Sequence, residues 1–156
     1  MTNRYAIDAC ALIDASKNYN LKKKSFSHIW EMFNKLFEDK KLISSAEIYD
    51  EIRDEDLKAW LKQHKDRFVP LSETIQRRTK QVLAEYPELI KIRPKKAASS
   101  NGDPFLIATA LEFDCTIITN EHAGDEASRD FKIPNVCKRY NIPCISLSEF
   151  LDTVLE

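Results

Sequence analysis

The chain holds 156 residues, 43% hydrophobic and 10% aromatic, which is enough for one domain with a sizeable core over residues 1–156. Its 24 basic and 25 acidic residues leave a formal charge of −1, so attachment to nucleic acid by net charge is excluded and any such contact must be a local patch. With only two glycines, Gly102 and Gly124, the chain also cannot build the glycine-rich phosphate loop of Rossmann or P-loop nucleotide sites.

The opening "MTNRYAIDACALIDA" lacks the basic start and long apolar run of a secretory signal, and it falls far short of the ~20 apolar residues of a membrane span. The cysteines, Cys10, Cys115, Cys137 and Cys144, show no C-x-x-C spacing and sit in apolar patterns. These features predict a reduced, cytoplasmic protein with no membrane segment and no zinc site. "RYAIDA" (4–9) reads as a first strand ending in an acid. A helix is predicted from Phe26 to Phe37, with Phe26, Ile29, Trp30, Phe33, Leu36 and Phe37 on one face. "KLISSA" (41–46) is a second strand, followed by one helical run from Ala46 to His64, and Trp30 and Trp60 read as packing anchors.

"RFVPL" (67–71) reads as a third strand, followed by a helix from Ser72 to Tyr86. A polar segment, Arg93 to Gly102, then leads into "DPFLIATALEF", where Asp103 reads as an N-cap and Pro104 as the first helical residue. "CTIITN" (115–120) and "PCISL" (143–147) are the fourth and fifth strands. "SLSEFLDTVLE" closes the chain as a helix with Ser148 as cap and Phe150, Leu151 and Val154 buried. Strands alternating with helices predict an α/β fold with a parallel sheet covered on both faces.

In such a sheet ligands bind beyond the carboxyl ends of the strands, so acids at strand exits matter most. Asp8 closes the first strand, Glu51 lies one to two turns into the helix after the second, Asp103 opens the helix before the fourth, and Glu121 follows the fourth. Carboxylates converging there repel one another unless a cation lies among them, and oxygen-only ligation suits a hard ion such as Mg²⁺ or Mn²⁺. Glu47, one helical turn before Glu51, shares its face and competes with it. Asp125, Glu126 and Asp130 compete with Glu121. Asp14 reads as a capping or surface residue of the first helix. His28, His64 and His122 show no metal-binding spacing, and His122, beside Glu121, is the one placed to meet a substrate.

Four motifs resemble the PIN-domain superfamily of metal-dependent ribonucleases, which includes the VapC-like toxins. They are "YAIDACALIDA", "ISSAEIYDEI", "GDPFLIATAL" and "IITNE". More narrowly, "IYDEI", "DPFLIATA" and "KIPNVCKRYNIPCISLSEFL" resemble a subgroup of stand-alone prokaryotic PIN proteins of unassigned function. The resemblance implies a three-layer α/β/α sandwich with a five-stranded parallel sheet. It implies an Mg²⁺ or Mn²⁺ cofactor held by the catalytic acids Asp8, Glu51, Asp103 and Glu121, with RNA phosphodiesters hydrolysed by a metal-activated water. Thr119 matches the family's hydroxyl on the fourth strand. The motif after Asp8 departs from the pattern, since Ala9 and Cys10 stand where the family carries a hydroxyl residue and then Asn or Ser; Cys10 remains a candidate to line the site.

The resemblance also implies the toxin role of a type II toxin–antitoxin pair, with a cognate antitoxin protein and a homodimer as partners. A catalytically silent PIN-fold module that binds RNA or protein is the alternative. Phosphate contacts to an RNA substrate are expected from Lys95 and Lys96 ahead of Asp103, and from Arg129, Lys132, Lys138 and Arg139 after Glu121. A haloacid-type phosphatase would need a second acid two residues after Asp8, and Cys10 stands there.

Overall fold

The computed structural model describes residues 4–89 and 103–155. The strands are β1 (Tyr5–Ile7), β2 (Leu42–Ser45), β3 (Phe68–Val69), β4 (Thr116–Ile118) and β5 (Cys144–Ile145). The helices are α1 (Ala9–Asn18), α2 (Ser27–Glu38), α3 (Ala46–Glu51), α4 (Glu55–Lys62), α5 (Glu73–Glu85), α6 (Asp103–Phe113), α7 (Ile133–Tyr140) and α8 (Leu147–Val154). All strand pairs are parallel, in the order β3-β2-β1-β4-β5. The five strands therefore fall where the apolar runs of the sequence place them.

Because β2 and β4 flank β1 on opposite sides, right-handed crossovers place α1 and α2 on one face and α5 and α6 on the other. This gives the three-layer α/β/α sandwich. It also makes the gap between β1 and β4 the point where the strand order reverses, which is where open sheets of this kind leave a crevice.

α6 is apolar nearly all round, with Pro104, Leu106, Ile107, Ala108 and Ala110 all buried. It lies between α5 and the sheet, against β1 and β2. Removing Leu106 and Ile107 from water contributes roughly 1.5–3 kcal/mol each. That burial draws the helix's first residue, Asp103, into the interior at 4% exposure. On the opposite face α2 buries Ile29, Trp30, Phe33 and Phe37. Phe33 meets Phe150 of α8 at 5.9 Å, and Phe150 packs edge-on to Tyr5 at 5.0 Å. Trp30 stacks edge-on to Trp60 at 5.0 Å and its indole N–H donates to the Tyr19 carbonyl, so both tryptophans anchor packing as expected.

Two boundaries differ from the sequence expectation. The run from Ala46 to His64 is two helices, because Ile52 is extended and the Asp54 carboxylate caps α4 by accepting from the Leu57 N–H at 2.8 Å. The closing helix is capped by Ser146, not Ser148: Ser146 Oγ accepts from the Glu149 N–H at 3.1 Å, and Glu149 Oε1 accepts from the Ser146 N–H at 3.2 Å. Pro104 stands second in α6, whose assigned start is Asp103; Gly102 lies outside the described residues. No helix among the described residues is long and apolar enough to cross a membrane.

Candidate metal centre

Register builds the site. β1 pairs with β4 so that Ile7 faces Ile118, and the Asp8 N–H continues the ladder by donating to the Ile118 carbonyl at 2.9 Å. The next residues on the two strands, Asp8 and Thr119, therefore stand side by side at the strand exits. Asp8 also caps α1, its Oδ1 accepting from the Ala9 N–H at 2.8 Å. Its Oδ2 accepts from the Thr119 hydroxyl at 2.9 Å and from the Cys10 thiol at 3.0 Å. Cys10 thus supplies a donor where the related motif carries a polar residue, and its sulfur lies 3.3 Å from Thr119 Oγ1.

Asp8 is 4% exposed. Burial raises its carboxyl above the ordinary value, and the hydrogen bonds from Cys10, Thr119 and Ala9 oppose that rise. Burial and the neighbouring Asp8 push the Cys10 thiol up in turn, keeping it protonated as a donor.

Asp103 reaches the same place from α6, and half-buried Glu121 reaches it from beyond β4. Asp8, Asp103 and Glu121 each offer a carboxylate oxygen, and these oxygens lie within 4.8 Å of one another. The donors are all hard oxygens and two of the three acids are buried. Such a cluster fits a hard divalent ion, Mg²⁺ or Mn²⁺, better than a soft one. Glu51, at the end of α3, is half-buried and stands outside this group, as does Glu47.

The sequence competitors of Glu121 are engaged in the following loop. Asp125 is exposed and caps a short 3-10 turn, accepting from the Ala127 N–H at 3.1 Å and the Ser128 hydroxyl at 2.6 Å. Glu126 pairs with Arg139 at 2.7 Å, and Asp130 lies 3.9 Å from Lys132. Arg129 pairs with Glu88, so three of the four described cations expected to meet phosphate, Arg129, Lys132 and Arg139, each have an acid partner within the chain, and Lys138 is the fourth. Lys95 and Lys96 lie outside the described residues. Beside Glu121 opens a cleft of about 610 Å³ whose rim carries Asn120, His122, Pro134, Lys138 and Glu149.

Two asparagines hold this region together and were not singled out from the sequence. Asn120 bridges three elements, donating to Asp14 Oδ2 of α1 at 2.7 Å and accepting from the Leu147 N–H of α8 at 2.9 Å. Asp14 thereby braces the residue next to Glu121. Buried Asn135 accepts from the Gly124 N–H at 2.7 Å and donates to the Gly124 carbonyl at 3.0 Å, pinning the loop to α7. A Cβ at Gly124 would lie 1.9 Å from the Asp130 carbonyl oxygen, so this close approach requires glycine. The available signals were an Asn at a strand exit and an Asn in a helix's first turn.

No curated protein matches the chain. Among solved structures, VapBC2 from Rickettsia felis bound to a DNA fragment from their promoter is similar over 91% of this chain and 97% of that chain, at 15% identity and a TM-score of 0.47. Residues 5–154 match the family described as "Domain of unknown function (DUF4411)", and with nearly the whole chain covered the protein belongs to that family.

Proposed function

We propose that the protein is a divalent-metal-dependent endoribonuclease with a PIN-like domain spanning its length, acting in the cytoplasm as the toxin of a type II toxin–antitoxin pair. The observation that carries the reading is the gathering of Asp8, Asp103 and Glu121 within 4.8 Å at the β1/β4 switch point, two of them buried. Buried carboxylates at this spacing strongly disfavour joint ionisation without a cation. The PIN-like motifs around these acids support RNA as the substrate class.

Asp8, Asp103 and Glu121 would hold the ion, Mg²⁺ or Mn²⁺. When bound, such an ion offsets charge on a phosphodiester and lowers the pKa of a water. The chain's own part is to present the carboxylates ready-made. Thr119 and Cys10 direct their protons at Asp8 Oδ2 and Ala9 its N–H at Oδ1, which orients the carboxylate and leaves Oδ1 as the oxygen with a lone pair for a ligand. The Asn120 brace fixes the backbone that carries Glu121. Glu51, the further acid that the resemblance implies, stands outside the group within 4.8 Å, and in this reading His122 and Lys138 of the cleft face the substrate.

The test is cleavage of a labelled mixed RNA pool by the whole protein with Mn²⁺, with EDTA, and by Asp103→Asn. Cutting that needs Mn²⁺ and is lost in the variant is expected. Undiminished cutting by folded Asp103→Asn would overturn the site, and Mn²⁺ binding without cutting across several RNAs would favour the silent binding module. For the toxin role, a small protein encoded beside this chain should stop the cleavage on addition.

A further inference from the structure

Cys137 and Cys144 are brought together by the way α7 turns into β5. Cys137 stands in the last turn of α7 and Cys144 opens β5. Between them Asn141 adopts the left-handed conformation, with φ 58°, and the N–H groups of Asn141 and Ile142 both return to the Cys137 carbonyl. This tight reversal lays the strand against the helix end. The pairing with Cys137 holds the Cys144 thiol below its ordinary value, and the same pairing with burial pushes the Cys137 thiol up.

Their exposures differ in a useful way. Cys137 is 1% exposed, whereas Cys144 is half-buried, and both line the cleft that Glu121 borders. Solutes in the cleft can therefore reach Cys144, with Cys137 waiting behind it. The other cysteines lack this arrangement: Cys115 is buried, and Cys10 spends its proton on Asp8.

We propose that Cys144 and Cys137 form a peroxide-reactive dithiol that closes to an intrachain disulfide in the cleft wall. The Cys144 thiolate attacks a hydroperoxide, forming an S–O bond as the O–O bond breaks and the alcohol, or water from hydrogen peroxide, leaves. Cys137 then attacks the Cys144 sulfenic acid; the S–S bond forms, the S–O bond breaks, and water leaves with the Cys137 proton. Two thiols are oxidised by two electrons and one peroxide is reduced. Closure brings the two sulfurs, both on the wall of one cleft, to a bonded separation of about 2.05 Å. The disulfide ties α7 to β5 beside Glu121.

The test treats the full-length folded protein with hydrogen peroxide and counts thiols afterwards in denaturant. The four free thiols should fall to two, with a reducible cross-link between the peptides carrying Cys137 and Cys144. Cys144→Ser should keep its other three thiols, Cys137→Ser should accumulate a dimedone-reactive sulfenic acid at Cys144, and Cys115→Ala should still lose two. Should the serine variants misfold by circular dichroism, peptide mapping of the wild type decides alone. Four surviving thiols in the folded wild type, or a cross-link joining any other pair or two chains, would overturn the proposal. RNA cleavage plays no part in the readout.

Discussion

The Thr119 hydroxyl joins two of the gathered acids, donating to Asp8 Oδ2 at 2.9 Å and accepting from the Glu121 N–H at 3.1 Å. A hydrogen bond to a charged carboxylate contributes roughly 1.5–3 kcal/mol, so its loss should weaken ion binding by about tenfold or more. Thr119→Val is therefore expected to bind Mn²⁺ at least about tenfold more weakly by titration calorimetry, with Thr119→Ser restoring the affinity. A valine variant that binds like the wild type would show that the hydroxyl does not organise the acids.

The grouping of the acids ranks their contributions to metal binding. An ion bound only by the folded chain stabilises it by about 2.7 kcal/mol at a hundred times its dissociation constant, or roughly 5–10 °C for a chain this size. Asp103→Asn should lose that Mn²⁺-induced rise in Tm, whereas Glu51→Gln, outside the group within 4.8 Å, should keep most of it. Equal losses in both variants would place Glu51 among the ligands.

Without metal, the burial of Asp8 should appear as a pH dependence of stability. Its folded pKa is raised above the ordinary 3.8, so the folded chain holds this proton more tightly than the unfolded chain does. The stabilisation from this site is present below 3.8 and is lost as pH rises through the folded pKa. In EDTA, Asp8→Asn should therefore gain stability relative to wild type as pH rises through that window, measured by urea unfolding. Saturating Mn²⁺ should reverse the ranking at neutral pH. A pH-independent difference in EDTA would mean that Asp8 ionises in the fold as readily as in the unfolded chain.

His64 gives a second pH effect with the opposite sign. The ring is buried against Phe37 at 4.8 Å, Nε2 has no hydrogen-bond partner, and desolvation lowers the pKa below 6.5. Glu38 partly offsets that shift and Arg67 adds to it. The unfolded chain binds this proton more readily, so the stabilisation is present above 6.5 and is lost as pH falls through the folded pKa. His64→Leu should remove this component and flatten the stability profile below 6.5. An unchanged profile would show that His64 is protonated without penalty. The burial of this residue was not legible in the sequence, because a polar ring in a charged helical stretch carries no sign that Phe37 and Trp60 will cover it.

The same distinction between local and distant information explains what the sequence revealed. Five strands were legible because each is a short apolar run; Asp8 and Glu121 stood out because strand exits can be read from those runs, and Asp103 because it opens a strongly apolar helix. The helix break at residues 52–54 was hidden, since the apolar spacing on either side continues through it and only the Asp54 cap divides it. Ser146 was legible in principle, as "SLSE" carries the capping box that Ser148 lacks. The partners of the basic residues were not: Arg129 meets Glu88 41 positions away, and no local pattern announces that pairing.

Those ion pairs change which cations should bind RNA. Arg139 is held by Glu126 at 2.7 Å, and Arg129 is held by Glu88, whereas exposed Lys138 stands on the rim of the cleft beside Glu121. A guanidinium already bonded to a carboxylate has its charge offset and its direction set by that partner, so it attracts a phosphate less than an uncompensated cation does. Lys138→Ala should therefore weaken binding of single-stranded RNA and reduce the slope of log affinity against log salt by about 0.7, the release expected from one lost phosphate contact. Arg139→Ala should leave the slope nearly unchanged, although it loosens the loop that Glu126 anchors. Both can be read from fluorescence anisotropy over a salt series, in calcium or EDTA so that no cutting intervenes. A larger slope change for Arg139→Ala than for Lys138→Ala would mean that the Glu126 pair opens on RNA binding and that the loop, not the cleft rim, carries the phosphate contact.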